Sequence, residues 1–151
     1  ASNPDPQVVD TTPVERPAVV VEKAPEGPVP GSEADLVENV GHLVFFGYNE
    51  HSLTPQAQDT LARQAAWLQE YPETRIRLAG NCDERGTREY NVALGERRAQ
   101  AVEKFLRVQG VSASQIETVS YGEEKPAAYG HDEMSWAKNR RVQLNYTAGR
   151  P

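Results

Sequence analysis

Gly80-Asn81-Cys82-Asp83-Glu84-Arg85-Gly86-Thr87-Arg88-Glu89-Tyr90-Asn91-Val92-Ala93-Leu94-Gly95-Glu96-Arg97-Arg98-Ala99 begins as a polar loop and turns into a helix. The loop spans Gly80 to Arg88. The helix is expected over about Tyr90 to Gln109, with Gly110 as its stop. Offsets of three, four and seven pick out one stripe along it: Asn91, Leu94, Arg98, Ala101 or Val102, Phe105 and Val108. Arg98 therefore interrupts a core-facing row. Its neighbour Arg97 falls on a solvated face with Glu96, Glu103 and Lys104.

Outward from this stretch the chain alternates between strand and helix signals. Upstream, Arg75 to Leu78 alternates apolar with charged residues, as a strand with one wet face does. Before it, Thr54 and Pro55 supply a cap and a first helical residue, followed by Ala57, Leu61, Ala65 and Leu68 at helical spacing and a close before Pro72. Leu43 to Phe46 fits a first strand, and Ser32-x-x-Asp35 is a capping-box pattern for a short helix that Gly41 ends. Downstream, strands fit Ile116 to Tyr121 and Arg141 to Tyr146, with a short helix near Glu133 to Lys138. The order β-α-β-α-β-β predicts an α/β fold, a two-layer βαβαββ sandwich with helices on one face of a small mixed sheet.

The chain has 151 residues, enough for one domain and some spare chain. The spare chain lies at the start, where seven of the 11 prolines fall within the first 30 residues and no aromatic occurs. Such a stretch cannot bury enough apolar area to offset its ordering entropy. Residues 1–32 are thus expected to be a disordered, proline-rich tether, 33–148 a folded domain and 149–151 a short tail. A net charge of −6 argues against nucleic acid as a partner, since phosphate neutralisation needs a basic surface. No apolar run approaches the roughly 18 residues of a membrane span, and the first residues lack the pattern of a signal peptide, which leaves an intracellular protein or a mature form.

A guanidinium at the edge of a core keeps its charge and needs a partner. The nearest carboxylates are Asp83 and Glu84. One reading is an Asp83–Arg98 ion pair that fixes the loop. The other is a seat for a zwitterion such as an amino-acid head group, its ammonium on Asp83 and its carboxylate on the paired N–H donors of Arg98. Other motifs carry less. His131-Asp132-Glu133 reads as structural loop rather than metal ligands, Cys82 as a small buried residue, and Gly80 to Gly86 as no phosphate loop because no Gly-Lys-Ser/Thr follows. For Arg140 and Arg141, structural pairing is favoured over ligand contact. An Asp83/Glu84 carboxylate pair for glycan hydrolysis is the alternative from a different class, although consecutive residues seldom face each other across a substrate.

The quoted stretch also resembles the signature of the peptidoglycan-associated lipoproteins, the Pal type within the OmpA C-terminal domain family. The likeness continues through Val119-Ser120-Tyr121-Gly122-Glu123-Glu124-Lys125-Pro126, Gly130-His131-Asp132-Glu133 and Lys138-Asn139-Arg140-Arg141-Val142, and spans about Leu43 to Tyr146. It implies noncatalytic, noncovalent binding of peptidoglycan stem peptides through meso-diaminopimelate, with no cofactor or metal. Asp83 and Arg98 match the pair that holds the zwitterion, Arg85 and Leu94 match further contacts, and Asn91 matches the family asparagine. Backbone donors of the loop at Tyr48 and Asn49 complete the set. Gly47 and Asn49 stand where the family often has aspartates, so altered strength of binding is expected. The resemblance further implies an outer-membrane lipid anchor on the periplasmic side, the Tol-Pal system, TolB as a competing partner and TolA as another. A mature member would begin with an acylated cysteine, whereas Cys82 is the only cysteine here. Another envelope protein with an OmpA-like domain is the nearer alternative.

Overall fold

A computed structural model describes residues 27–149. Of the expected tether, residues 1–26 lie outside the described residues. A sheet of four strands, β1 (Leu43–Phe45), β2 (Arg75–Asn81), β3 (Ile116–Gly122) and β4 (Arg141–Ala148), is ordered β1-β4-β2-β3. β4 pairs antiparallel with both β1 and β2, while β2 and β3 run parallel, so the sheet is mixed as expected. Helices α2 (Pro55–Glu70) and α3 (Arg88–Val108) make the second layer. Alternation along the strands sends Val44, Ile76, Leu78, Val142 and Leu144 into the core, where they meet Leu61, Ala65 and Leu68 of α2 and Ala99, Val102 and Leu106 of α3.

The helix ends follow their local chemistry. Thr54 Oγ1 accepts from Ala57 N at 3.0 Å with Pro55 in the first turn, and Thr87 Oγ1 accepts from Tyr90 N at 3.1 Å. Gly110, at φ 109°, takes the left-handed conformation that stops α3. The N-terminal capping box forms only by half. Ser32 Oγ accepts from Asp35 N in α1 (Glu33–Asp35), but the Asp35 carboxylate accepts from Gly31 N and Trp67 Nε1, both at 2.8 Å, tying this segment to α2. The short helix then widens into a π turn, Leu36–Val40, closed at Gly41.

Two further expectations are corrected. β2 runs three residues past Leu78, to Asn81, because parallel pairing with β3 continues through Gly80↔Ser120. The buried face of α3 is Asn91, Leu94, Gly95, Arg98, Ala99, Val102 and Leu106, whereas Phe105 is half-buried and Val108 is 75% exposed. A row stepping 91, 94, 98, 101, 105, 108 advances about 3.4 residues per turn. On a helix of about 3.6 it drifts, leaving Val108 roughly 100° from Asn91. Gly80 and Gly95 let α3 lie against β2: a Cβ on Gly80 would fall 1.8 Å from the Gly95 carbonyl oxygen. That close approach sets the depth at which Arg98 meets the end of β2.

Candidate functional site

The site lies where β2 ends, the 82–87 loop turns and α3 begins. Arg98 is 1% exposed, and its guanidinium is held by main-chain carbonyls alone. Nε donates to Glu50 O (2.7 Å), Nη1 to Asn81 O (2.9 Å) and Nη2 to Gly47 O (3.1 Å), with the Phe46 ring 5.3 Å away. Burial lowers its pKa from the usual guanidinium value, with Asp83 opposing and Arg140 adding to the fall. It stays a cation all the same. Three of five N–H donors are committed, leaving one each on Nη1 and Nη2.

Asp83, 4% exposed, does not pair with Arg98. Its partners are Arg85 and Arg140. Oδ1 accepts from Arg85 N (3.0 Å) and Arg85 Nε (3.2 Å), and Oδ2 from Arg85 Nη2 (2.8 Å) and Arg140 Nη1 (3.4 Å). Burial is the largest influence on its pKa and raises it, yet the bonds from Arg85, with Arg140 behind, outweigh it and the net direction is down. Of the two readings of this pair, the direct Asp83–Arg98 ion pair does not form: each charge is neutralised or solvated from elsewhere while both remain on one wall. The Arg85 guanidinium lies 4.0 Å from the ring centroids of both Tyr48 and Trp136, a cation between two aromatic faces.

All seven residues singled out in the sequence, Asp83, Arg98, Arg85, Leu94, Asn91, Tyr48 and Asn49, line one cavity of about 40 Å³. Asn91 is buried and its amide donates to Arg85 O (3.0 Å), to Asp83 O (3.4 Å) and to the Glu123 carboxylate, so it pins the loop to α3. Asn49 sits at φ 61°, a left-handed conformation that asparagine tolerates, and its side-chain oxygen accepts from Tyr90 OH. Cys82 is buried with Sγ donating to Asn91 O, and burial pushes its thiol up to about 11.

Four participants were not among the expected site residues: Trp136, Tyr90, Glu133 and Arg140. Trp136 stacks on Arg85 and donates Nε1–H to Glu84 Oε2 at 2.9 Å. Glu84 also meets His131 Nδ1 at 2.7 Å, and the Trp136 bond, then His131, lower its pKa. The members of His131-Asp132-Glu133 divide their contacts: His131 to Glu84, Asp132 capping Ser135 N of α4 (Glu133–Asn139), and Glu133 to Arg140. Among the described residues no group of three His, Cys, Asp or Glu could hold a metal ion, and no helix is long and apolar enough to cross a membrane.

The fold and the sequence across this site define a class. The chain belongs to the OmpA family, whose model matches residues 45–140. Within it, the chain is similar to proteins named peptidoglycan-associated lipoprotein. That of Agrobacterium fabrum is 53% identical over 113 residues, covering 75% of this chain and 64% of the relative. That of Legionella pneumophila is 48% identical over 124 residues, covering 82% and 70%. The crystal structure of the peptidoglycan-associated lipoprotein from Burkholderia pseudomallei superposes with a TM-score of 0.68 at 48% identity, over 70% of this chain and 90% of that one. The C-terminal domain of Helicobacter pylori MotB, at 24% identity and a TM-score of 0.65 over 70% of this chain and 82% of that one, shares the fold.

Proposed function

We propose that this chain is a noncatalytic cell-wall anchor that binds peptidoglycan through the diaminopimelate of its stem peptides. The observation that carries the reading is the pairing of a buried carboxylate, Asp83, with a buried guanidinium, Arg98, on the wall of one cavity without contact between them. A zwitterionic centre fits such a wall. Its ammonium takes an oxygen of Asp83 that Arg85 now occupies, and its carboxylate takes the two Nη donors of Arg98 left over from the carbonyls. Leu94 supplies the apolar side, and Tyr48, Asn49 and Asn91 frame the loop. Arg85 is half-exposed and can swing from Asp83 toward a ligand carboxylate.

On this reading the natural protein is tied to the outer membrane by an N-terminal lipid, faces the periplasm, and works in the Tol-Pal envelope and division system. TolB competes for the protein, and TolA is a further partner. The names of the relatives support the peptidoglycan step. The hydrolase alternative is disfavoured by the pKa directions. A general acid needs a raised carboxyl pKa, whereas those of Asp83 and Glu84 are both lowered. Sedimentation with purified sacculi tests the reading. The protein should pellet with sacculi and release no soluble muropeptides; release would establish the hydrolase, and a protein left in the supernatant would remove the anchor.

A further inference from the structure

Arg140 stands immediately behind the proposed seat and is 7% exposed. It does not line the Asp83–Arg98 cavity but a separate, more apolar hollow with Phe45, Phe46 and Ala137. Its guanidinium reaches three different segments. Nε donates to Phe46 O (2.9 Å), Nη1 to Asp83 Oδ2 (3.4 Å) and Nη2 to Glu133 Oε2 (2.8 Å). The main chain closes the first link in return, with Phe46 N donating to Arg140 O at 3.0 Å.

The Phe46 contact matters for Arg98. Gly47 follows Phe46 directly and Glu50 comes three residues later; their carbonyls take two of the three Arg98 bonds, and the turn between them is closed by Glu50 N donating to Gly47 O at 3.1 Å. One side chain therefore touches the site's anion and also clamps the base of the turn that aims the site's cation. We infer that Arg140 is a positioning residue that sets Asp83 and the Arg98-bearing turn in one register before ligand arrives, without touching the ligand itself. The inference rests on the diaminopimelate reading for its ligand and on the geometry alone for its effect on Asp83.

The division of labour follows from exposure. Arg85, its side chain 31% exposed between Tyr48 and Trp136, is the partner that a ligand ammonium can displace, whereas Arg140, 8% exposed in its side chain and fixed on three sides, stays. A carboxylate as buried as Asp83 needs a cation at every stage of that exchange. The charged groups around Asp83 are the cations Arg85, Arg140 and Arg98, with Glu84 and Glu133 opposing, while the adjacent Cys82 thiol, pushed up to about 11, stays neutral as Asp83 titrates.

Two measurements on the full chain test this. The first needs no ligand: the carboxyl carbon resonance of Asp83 is titrated in Arg85→Gln and in Arg85→Gln/Arg140→Gln. Loss of Arg140 should move the midpoint up by about one pH unit or more; an identical midpoint would overturn the inference. The second compares affinity for a diaminopimelate stem peptide in wild type, Arg140→Gln, Arg140→Lys and the surface control Arg97→Ala. Both Arg140 variants should bind on the order of tenfold more weakly, because one ammonium cannot hold three diverging acceptors. Wild-type affinity in a folded Arg140→Lys protein would show that charge alone suffices and would overturn positioning. If Arg140→Gln fails to fold, the lysine variant and its melting curve decide. If wild type binds no peptide, the diaminopimelate reading fails while the titration still settles what Arg140 does to Asp83.

Discussion

Asp83 and Arg98 share the wall of one cavity without forming an ion pair: the carboxylate accepts from Arg85 and Arg140, and the guanidinium donates to the carbonyls of Gly47, Glu50 and Asn81. Had they paired, each would have quenched the other's use to a ligand. Held apart, they offer one negative and one positive point from rigid supports, a strand end on one side and a helix on the other. Preorganisation of that kind reduces what binding must spend on ordering side chains.

Adjacent arginines on α3 give a sharp contrast. Arg98 is buried and Arg97 exposed, about 100° apart. Arg98→Ala should cost about 2 to 5 kcal/mol of stem-peptide binding, and some stability as well, because three carbonyls lose their donor. Arg98→Lys should weaken binding since an ammonium lacks the paired donors. Arg97→Ala should do neither. Calorimetric affinity and melting temperature on the same proteins check all three.

Acid should destabilise the domain through Asp83 and Asp35. Both have pKa values lowered by folding: at Asp35 burial pushes up, but the bonds from Gly31, Trp67 and Asn39 prevail. Groups depressed in the folded state stabilise it fully above the unfolded carboxylate value of about 4, and that stability is lost as pH falls through the folded values. Urea unfolding at pH 7 and pH 3 should show a smaller difference for Asp83→Asn and Asp35→Asn than for wild type. An unchanged difference would contradict the assigned directions.

Gly80→Ala should be among the most damaging single-methyl changes. Its Cβ meets the Gly95 carbonyl, and neither β2 at the sheet's centre nor the α3 backbone can yield cheaply. A loss of about 3 kcal/mol or more is expected in urea unfolding. A stability loss below about 1 kcal/mol would mean that α3 sits further from the sheet.

Cys82 should resist alkylation in the folded protein. Its thiol is buried and pushed up to about 11, so little thiolate exists at pH 8. Iodoacetamide should label it rapidly only after denaturation, and fast native labelling would contradict its placement.

Much of this was legible in the chain itself, and the parts that were not have physical reasons. Arg98 stands out because a charge breaks a helical period, and Thr54 and Gly110 sit at the helix ends in agreement with their local bonding preferences. The partners of Arg98 could not be foreseen, because its acceptors are peptide carbonyls, which every residue carries. The cation–aromatic stack was hidden for another reason. Tyr48, Arg85 and Trp136 are brought together only by the order β1-β4-β2-β3, which local periodicity does not encode. For Arg140 the sequence favours structural pairing, and its position in an Asn-Arg-Arg run carries no sign that it spans three segments.

The central claim is that the cavity holds a zwitterion, and it is tested most directly by calorimetry with two stem peptides that differ only at the third residue, diaminopimelate against lysine. Lysine lacks the second carboxylate, leaving the free Arg98 donors unmatched. The account predicts binding of the diaminopimelate peptide and affinity for the lysine peptide weaker by on the order of a hundredfold or more. Equal affinities would contradict it.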